Sequence, residues 1–127
     1  MTTPAPEAPF AFAGLDRLFH ERARLGIVTS LAGHPQGLAF ADLKRLCALT
    51  DGNLNRHLSA LEEAGCVTIA KGQARGRAIT TCRLTAEGRA RFVAYLAALE
   101  GALREGARAM SAGEAHAGAG GFGGHIA

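Results

Sequence analysis

The residues best equipped for chemistry in this chain lie between positions 50 and 83. The run DGNLNRHLSALEEAG (51–65) reads as one helix, with Thr50 in the position of its N-cap. At about 100° per residue, Leu54, His57, Leu58 and Leu61 fall in a single arc, the expected core face. Gly52, Arg56, Ser59 and Glu63 lie opposite, and Asn53 and Asn55 flank that outer face near the N-terminal end. Amides and a guanidinium at a helix end match the edges of base pairs in a major groove, asparagine on adenine and arginine on guanine. Gly52 is small enough for that end to approach closely. Asp51 either accepts from a cytosine or serves the helix start. An ordinary amphipathic helix with a solvated outer face has the same pattern, so the helix does not decide the matter alone.

A second cluster follows. From Lys71 to Arg83 there are Lys71, Arg75, Arg77 and Arg83 and no acidic residue, with Gln73 as a mixed donor and acceptor. Gly72 and Gly76 make KGQARGR (71–77) read as a pliant basic loop. Such a tip can lie across phosphates or place an arginine in a narrow minor groove. The alternative is a hairpin tip whose charges serve only solubility.

These groups need a scaffold. Residues 15–33 carry helical spacing through Leu15, Leu18, Phe19, Leu25, Ile27, Val28 and Leu31, ended by Gly33 and Pro35. AFADLKRLC (39–47) reads as a short second helix. After the third helix, CVTIA (66–70) and ITTCRL (79–84) alternate as strands, with Val67 and Ile69 on one face and Cys82 and Leu84 inward. Thr85 then caps a long last helix, with Glu87 near its positive end. The order predicts a mainly α fold with a small β-hairpin, a winged helix-turn-helix with a long terminal dimerisation helix.

Other chemistries find less support. Cys47, Cys66 and Cys82 are an odd set at wide spacing, which points to a reducing compartment and away from a disulfide framework. Neither they nor the five histidines form a close ligand pair, so no metal and no cofactor is expected. His57 sits at the core edge, where packing is the expected role. No Walker loop, nucleophile elbow or paired carboxylates suggest an enzyme. No apolar run approaches the ~18 residues of a membrane span, and the N-terminus lacks the basic region of a secretory signal. The chain has 127 residues and a formal charge of +3, enough for one domain with a mild preference for polyanions. Twelve of its 14 basic residues are arginine, which suits phosphate and guanine but also follows from a GC-rich genome.

The stretches LTDGNLNRHLSALEEAG (49–65), LTAEGRARF (84–92) and HERARLGIVTSL (20–31) resemble the winged-helix transcriptional regulators of the MarR/ArsR superfamily. The resemblance covers about residues 15–100 and is most specific from the third helix into the wing. It implies a cytoplasmic, homodimeric DNA-binding regulator. It also implies that Asn53, Asn55, Arg56 and Ser59 face DNA and that Lys71, Arg75 and Arg77 belong to the wing. No sensor motif accompanies it, so a small-molecule effector stays unidentified.

The expected organisation is an N-terminal arm (1–14), a winged-helix and dimerisation domain (15–110) and a disordered Gly/Ala-rich tail (111–127). Phe92, Leu96, Leu99 and Leu103 recur at heptad-like spacing on the last helix. A dimer seam is therefore expected from Leu15, Leu18, Phe19, Leu96, Leu99 and Leu103. The expected DNA-facing residues are Thr50, Gly52, Asn53, Asn55, Arg56 and Ser59 on the helix, with Lys71, Gln73, Arg75 and Arg77 on the wing. The function expected from the sequence is that of a repressor that reads duplex DNA, located in the cytoplasm on the nucleoid. The competing reading is a winged helix that binds another protein through its basic wing, without DNA.

Overall fold

The computed structural model describes residues 8–120. Residues 1–7 of the expected arm and 121–127 of the expected tail, with His125, lie outside them. The element order is α1 (Arg22–Ala32), β1 (Leu38–Ala39), α2 (Phe40–Cys47), α3 (Asp51–Glu63), β2 (Val67–Ala74), β3 (Arg77–Leu84) and α4 (Ala86–Gly120). The strands form one antiparallel sheet in the order β1-β3-β2. The expected winged helix-turn-helix is therefore present, with a third strand added.

The core is one cluster. Ile27, Val28 and Leu31 of α1, Leu43 of α2, and Leu54, Leu58 and Leu61 of α3 meet Val67, Cys82 and Leu84 of the sheet. Phe92 and Tyr95 of α4 close it against Phe19, whose ring stands edge-on to Phe92 at a centroid distance of 5.4 Å. Aromatic groups in this arrangement add to burial through their opposed edge and face charges.

The first helix starts later than its spacing suggests. Residues 16–20 form turns, because the Asp16 carboxylate accepts from Leu18 N at 3.1 Å and the Glu21 carboxylate caps α1 by accepting from Arg24 N at 2.8 Å. Two acidic side chains thus compete with the helical ladder over this stretch. Asp16 also takes a forked pair of hydrogen bonds from Arg91 of α4, at 2.6 and 3.1 Å. That guanidinium holds its carboxyl below the usual carboxylate range. Arg91 in turn lies 5.7 Å from the centre of the Phe19 ring. The consequence corrects one seam residue: Phe19 is wholly buried in its own domain and has no surface left for a partner.

The hairpin is longer than expected. KGQARGR is not a loop: β2 and β3 run through it to the pair Ala74↔Arg77. Only Arg75 and Gly76 turn the chain, both at positive φ, 55° and 76°. Two central residues of that kind make the tight turn whose twist matches a hairpin. The apolar alternation fades beyond Ile69 because the arms leave the core there, not because the strands end. β1, too short to show periodicity, pairs Leu38 with Cys82. Gly37 precedes it at φ 95°, where a Cβ would meet the Cys82 carbonyl oxygen at 2.8 Å.

α4 begins as expected. Thr85 Oγ1 accepts from Gly88 N at 2.8 Å and donates to the Gly65 carbonyl at 2.7 Å. Gly88 is pressed so closely against the Cys66 backbone that a Cβ there would collide with it. The helix continues to Gly120, so residues 111–120, expected to lack order, are helical instead. Their alanines carry the highest helix propensity of any residue, and the glycines among them are too few to stop the helix there.

Candidate nucleic-acid interface

α3 is held on three sides. Leu54, Leu58 and Leu61 anchor it in the core, and Thr50 caps it by accepting from Asn53 N at 3.1 Å. At its start the Asp51 carboxylate pairs with Lys44 of α2 at 2.8 Å. That pair resolves the two readings of Asp51 toward a structural one, and it offsets a negative charge where phosphates would come nearest. Lys44 is not among the residues that sequence reasoning singles out, although its place in the last turn of α2 aims it at the following helix start. The third hold is His57. Arg24 of α1 donates from its guanidinium to His57 Nδ1 at 3.1 Å and from Nε to the Leu18 carbonyl at 2.6 Å. Burial pushes the imidazole below its ordinary value, so His57 is neutral and Nδ1 is the acceptor. His57 thus has the packing role expected of it. Arg24 also escapes sequence reasoning, because a partly buried arginine on an amphipathic helix looks like any surface charge.

What remains of α3 faces outward. Gly52, Asn53, Asn55, Arg56 and Ser59 are all exposed, as is the capping Thr50. A Cβ at Gly52 would meet nothing within 4 Å, so the glycine keeps this end slim without serving any internal contact. Arg56 donates to the Asn53 side-chain carbonyl at 3.1 Å. Asn55 turns the other way, into a cleft of about 490 Å³ between α3 and the wing. Phe40, Leu58, Glu62, Ile69, Lys71 and Thr80 line that cleft with it.

The wing projects from the same side. Lys71, Gln73, Arg75 and Arg77 are exposed. Strand alternation divides them. Lys71 and Gln73 continue the face of Val67 and Ile69, toward α3. Arg77 lies on the opposite face together with Arg83, which donates to the Gln36 carbonyl at 3.0 Å and braces the β1 loop. Arg75 sits at the tip. The structure therefore brings Asn55 and Lys71 of the expected set together at one cleft, leaves Thr50, Gly52, Asn53, Arg56 and Ser59 exposed on α3 outside it, and sends Arg77 to the other face of the wing.

Residues 23–103 match the sequence profile of the winged helix DNA-binding domain family. The chain belongs to that family. An uncharacterised protein of Methanocaldococcus jannaschii is 38% identical over 80 residues, which span 63% of this chain and 86% of that protein. Among solved structures, a transcriptional regulator homologue from Pyrococcus horikoshii is 27% identical with a TM-score of 0.65, over 69% of this chain and 86% of the other. A MarR-family transcriptional regulator from Silicibacter pomeroyi shares the fold at 18% identity and a TM-score of 0.55, over 91% of this chain and 84% of its own. The fold is thus a winged helix, as the sequence motifs suggest, and one shared with this MarR-family regulator.

Other sites are sparse in this winged helix. Cys66 and Cys82 are buried, and burial pushes both thiols up, away from the reactive thiolate. Among the described residues no three of His, Cys, Asp and Glu gather as metal ligands. No described helix is long and apolar enough to cross a membrane.

α4 and the segment before α1 share an apolar groove. Phe10, Phe12 and Leu15 face Leu99, Ala102, Leu103, Gly106 and Ala109 across it. Leu96 is 44% exposed, Leu103 67% and Met110 69%. Leu15, Leu18 and Leu99 are partly buried against the core.

Proposed function

We propose that this protein is a homodimeric regulator of transcription that reads duplex DNA and acts as a repressor. α3 enters the major groove, where Asn55, Arg56 and Ser59 meet base edges and Gly52 allows close approach. Thr50 and the neighbouring backbone N–H groups at the helix start contact phosphate, which the positive end of the helix favours. Lys71, Gln73, Arg75 and Arg77 hold the flanking backbone or the minor groove beside it. Bound in the cytoplasm to its operator, the dimer excludes polymerase from the promoter.

The observation that carries this reading is the outer face of α3. It has an open glycine and exposed amides and a guanidinium, its one carboxylate at the helix start is paired with Lys44, and a basic hairpin stands beside it. A surface built for an acidic protein would need the charge but not the slim, amide-bearing helix end. The dimer reading rests on the apolar strip of α4 and Phe10 and Phe12 beside it, which leave Leu96, Leu103 and Met110 in water in a single chain. A twofold dimer then sets its half-sites about 10 bp, or a multiple, apart.

The direct test is selection of bound sequences from a randomised duplex pool at low salt, followed by gel shift. Enrichment of a two-part motif with that spacing is the expected result. Failure to retain any duplex at low salt would leave the protein-binding module as the better reading.

A further inference from the structure

Asn53 and Asn55 are both amides on the outer part of α3, but the surroundings of Asn53 suit a different task from base reading. The two stand on opposite flanks of the helix, and only Asn55 opens onto the wing cleft. The Asn53 side-chain carbonyl is already engaged, accepting from an Arg56 terminal nitrogen at 3.1 Å. The Asn53 backbone N–H is engaged too, donating to Thr50 Oγ1 at 3.1 Å. Thr50, Asn53 and Arg56 thus form a chain at successive three-residue steps along the outer side of the helix start.

To read adenine, an asparagine must offer its carbonyl and its amide N–H together to a single base edge. The Asn53 carbonyl keeps a second lone pair, but its direction is set by the Arg56 bond, on the flank of the helix away from the wing cleft, rather than being free to turn to a base edge. An arginine reading guanine needs a pair of N–H groups in one plane, and the guanidinium has donors to spare after one is taken by Asn53. A long side chain on an exposed helix face loses rotamer freedom when it binds. A neighbour that fixes its plane beforehand removes part of that cost.

We propose that Asn53 is a positioning residue for Arg56 and does not read a base itself. The N-cap Thr50 fixes the Asn53 backbone, Asn53 fixes the plane of the Arg56 guanidinium, and Arg56 alone meets the base. This assignment rests on the DNA-binding reading above. It leaves three base readers on α3: Arg56 on the outer face, Asn55 at the wing cleft and Ser59 between them.

The test uses full-length protein, the duplex selected from the random pool, and derivatives of that duplex with each base pair changed singly. Asn53→Ala should lower discrimination at the same base pair as Arg56→Ala, by roughly 5-fold against up to about 100-fold for the arginine. The double variant should discriminate no worse than Arg56→Ala alone, because the two act as one unit. Asn53→Asp is the informative variant. It keeps an acceptor for Arg56 and loses the N–H groups that adenine requires. Discrimination should therefore survive in Asn53→Asp, even though the added charge weakens binding to every duplex. Loss of preference at a different base pair in Asn53→Ala, additive with Arg56→Ala and not restored by aspartate, would overturn the assignment and make Asn53 a reader. A wild-type protein that shows no preference for the selected duplex over random DNA would overturn the DNA-binding reading and this assignment with it.

Discussion

His57 shows how a single side chain can tie α3 to the rest of the domain and make that tie depend on protons. Its Nδ1 accepts from the Arg24 guanidinium, Glu21 lies 3.9 Å away and Arg56 is its neighbour on α3. Burial, with Arg24 and Arg56 nearby, outweighs the attraction of Glu21 and keeps the ring neutral. The unfolded chain takes up a proton near the ordinary value of 6.5, whereas the folded chain does so only at lower pH. Unfolding therefore binds a proton between those two points. The stability from the neutral ring is fully present above 6.5 and is lost as pH falls from 6.5 toward the depressed folded value. Denaturant titrations between about pH 7.5 and about pH 5 should show this decline. His57→Asn keeps an acceptor for Arg24 but cannot titrate, so the decline should be smaller in that variant. An identical pH dependence in both proteins would mean that His57 is not the group involved. The core role of His57 is legible from its place in the arc of Leu54, Leu58 and Leu61. Its partner is not, since nothing local links positions 24 and 57.

The wing makes the same point for an element. Val67, Ile69, Cys82 and Leu84 alternate plainly because one side of them is buried, and that part of the hairpin is legible directly. Beyond Ile69 both faces meet water, the alternation disappears, and the strands have the composition of a loop. What persists there is backbone pairing, which leaves no mark on side-chain type. The start of α1 is illegible for the converse reason: Leu15, Leu18 and Phe19 have helical spacing and do face inward, but turns present them to the core just as well. At the tip, Arg75 holds φ 55° ahead of Gly76. Asparagine tolerates that conformation better than arginine and favours this turn type ahead of glycine. Arg75→Asn should therefore leave the hairpin and the melting temperature intact while removing one cation per subunit. If Arg75 neutralises a phosphate, log affinity against log salt should flatten by about 0.9 for each phosphate no longer neutralised. An unchanged slope would place the tip away from the backbone, and a large fall in stability would show that the arginine itself stabilises the turn.

Across the whole molecule the question is what covers α4. The helix is about 50 Å long by its residue count, but the domain's own core occupies only its N-terminal part, through Phe92 and Tyr95 to the partly buried Leu99. The heptad-like seam is visible in the sequence, yet spacing cannot divide it between the domain's own core and a partner. The structure makes that division: Phe19 and Phe92 point inward, while Leu96 and Leu103 are left exposed. Leu103→Asp is the clean probe, since it changes a side chain that a single chain leaves in water. Placing an unpaired carboxylate in a packed dimer seam costs several kcal/mol, on the order of 3 or more. Sedimentation should show the variant as a folded monomer with wild-type circular dichroism and weakened operator binding. A dimer of unchanged stability would put the interface elsewhere.

All of these parts serve one claim, that α3 reads sequence while the wing supplies charge. The measurement that tests it most directly is affinity against salt concentration for the selected duplex and for random duplex DNA, in wild type and in Arg56→Ala. The account predicts that Arg56→Ala removes roughly 1–3 kcal/mol of preference per half-site while binding random DNA nearly as the wild type does. An Arg56→Ala protein that keeps the full wild-type ratio between selected and random duplex would contradict it.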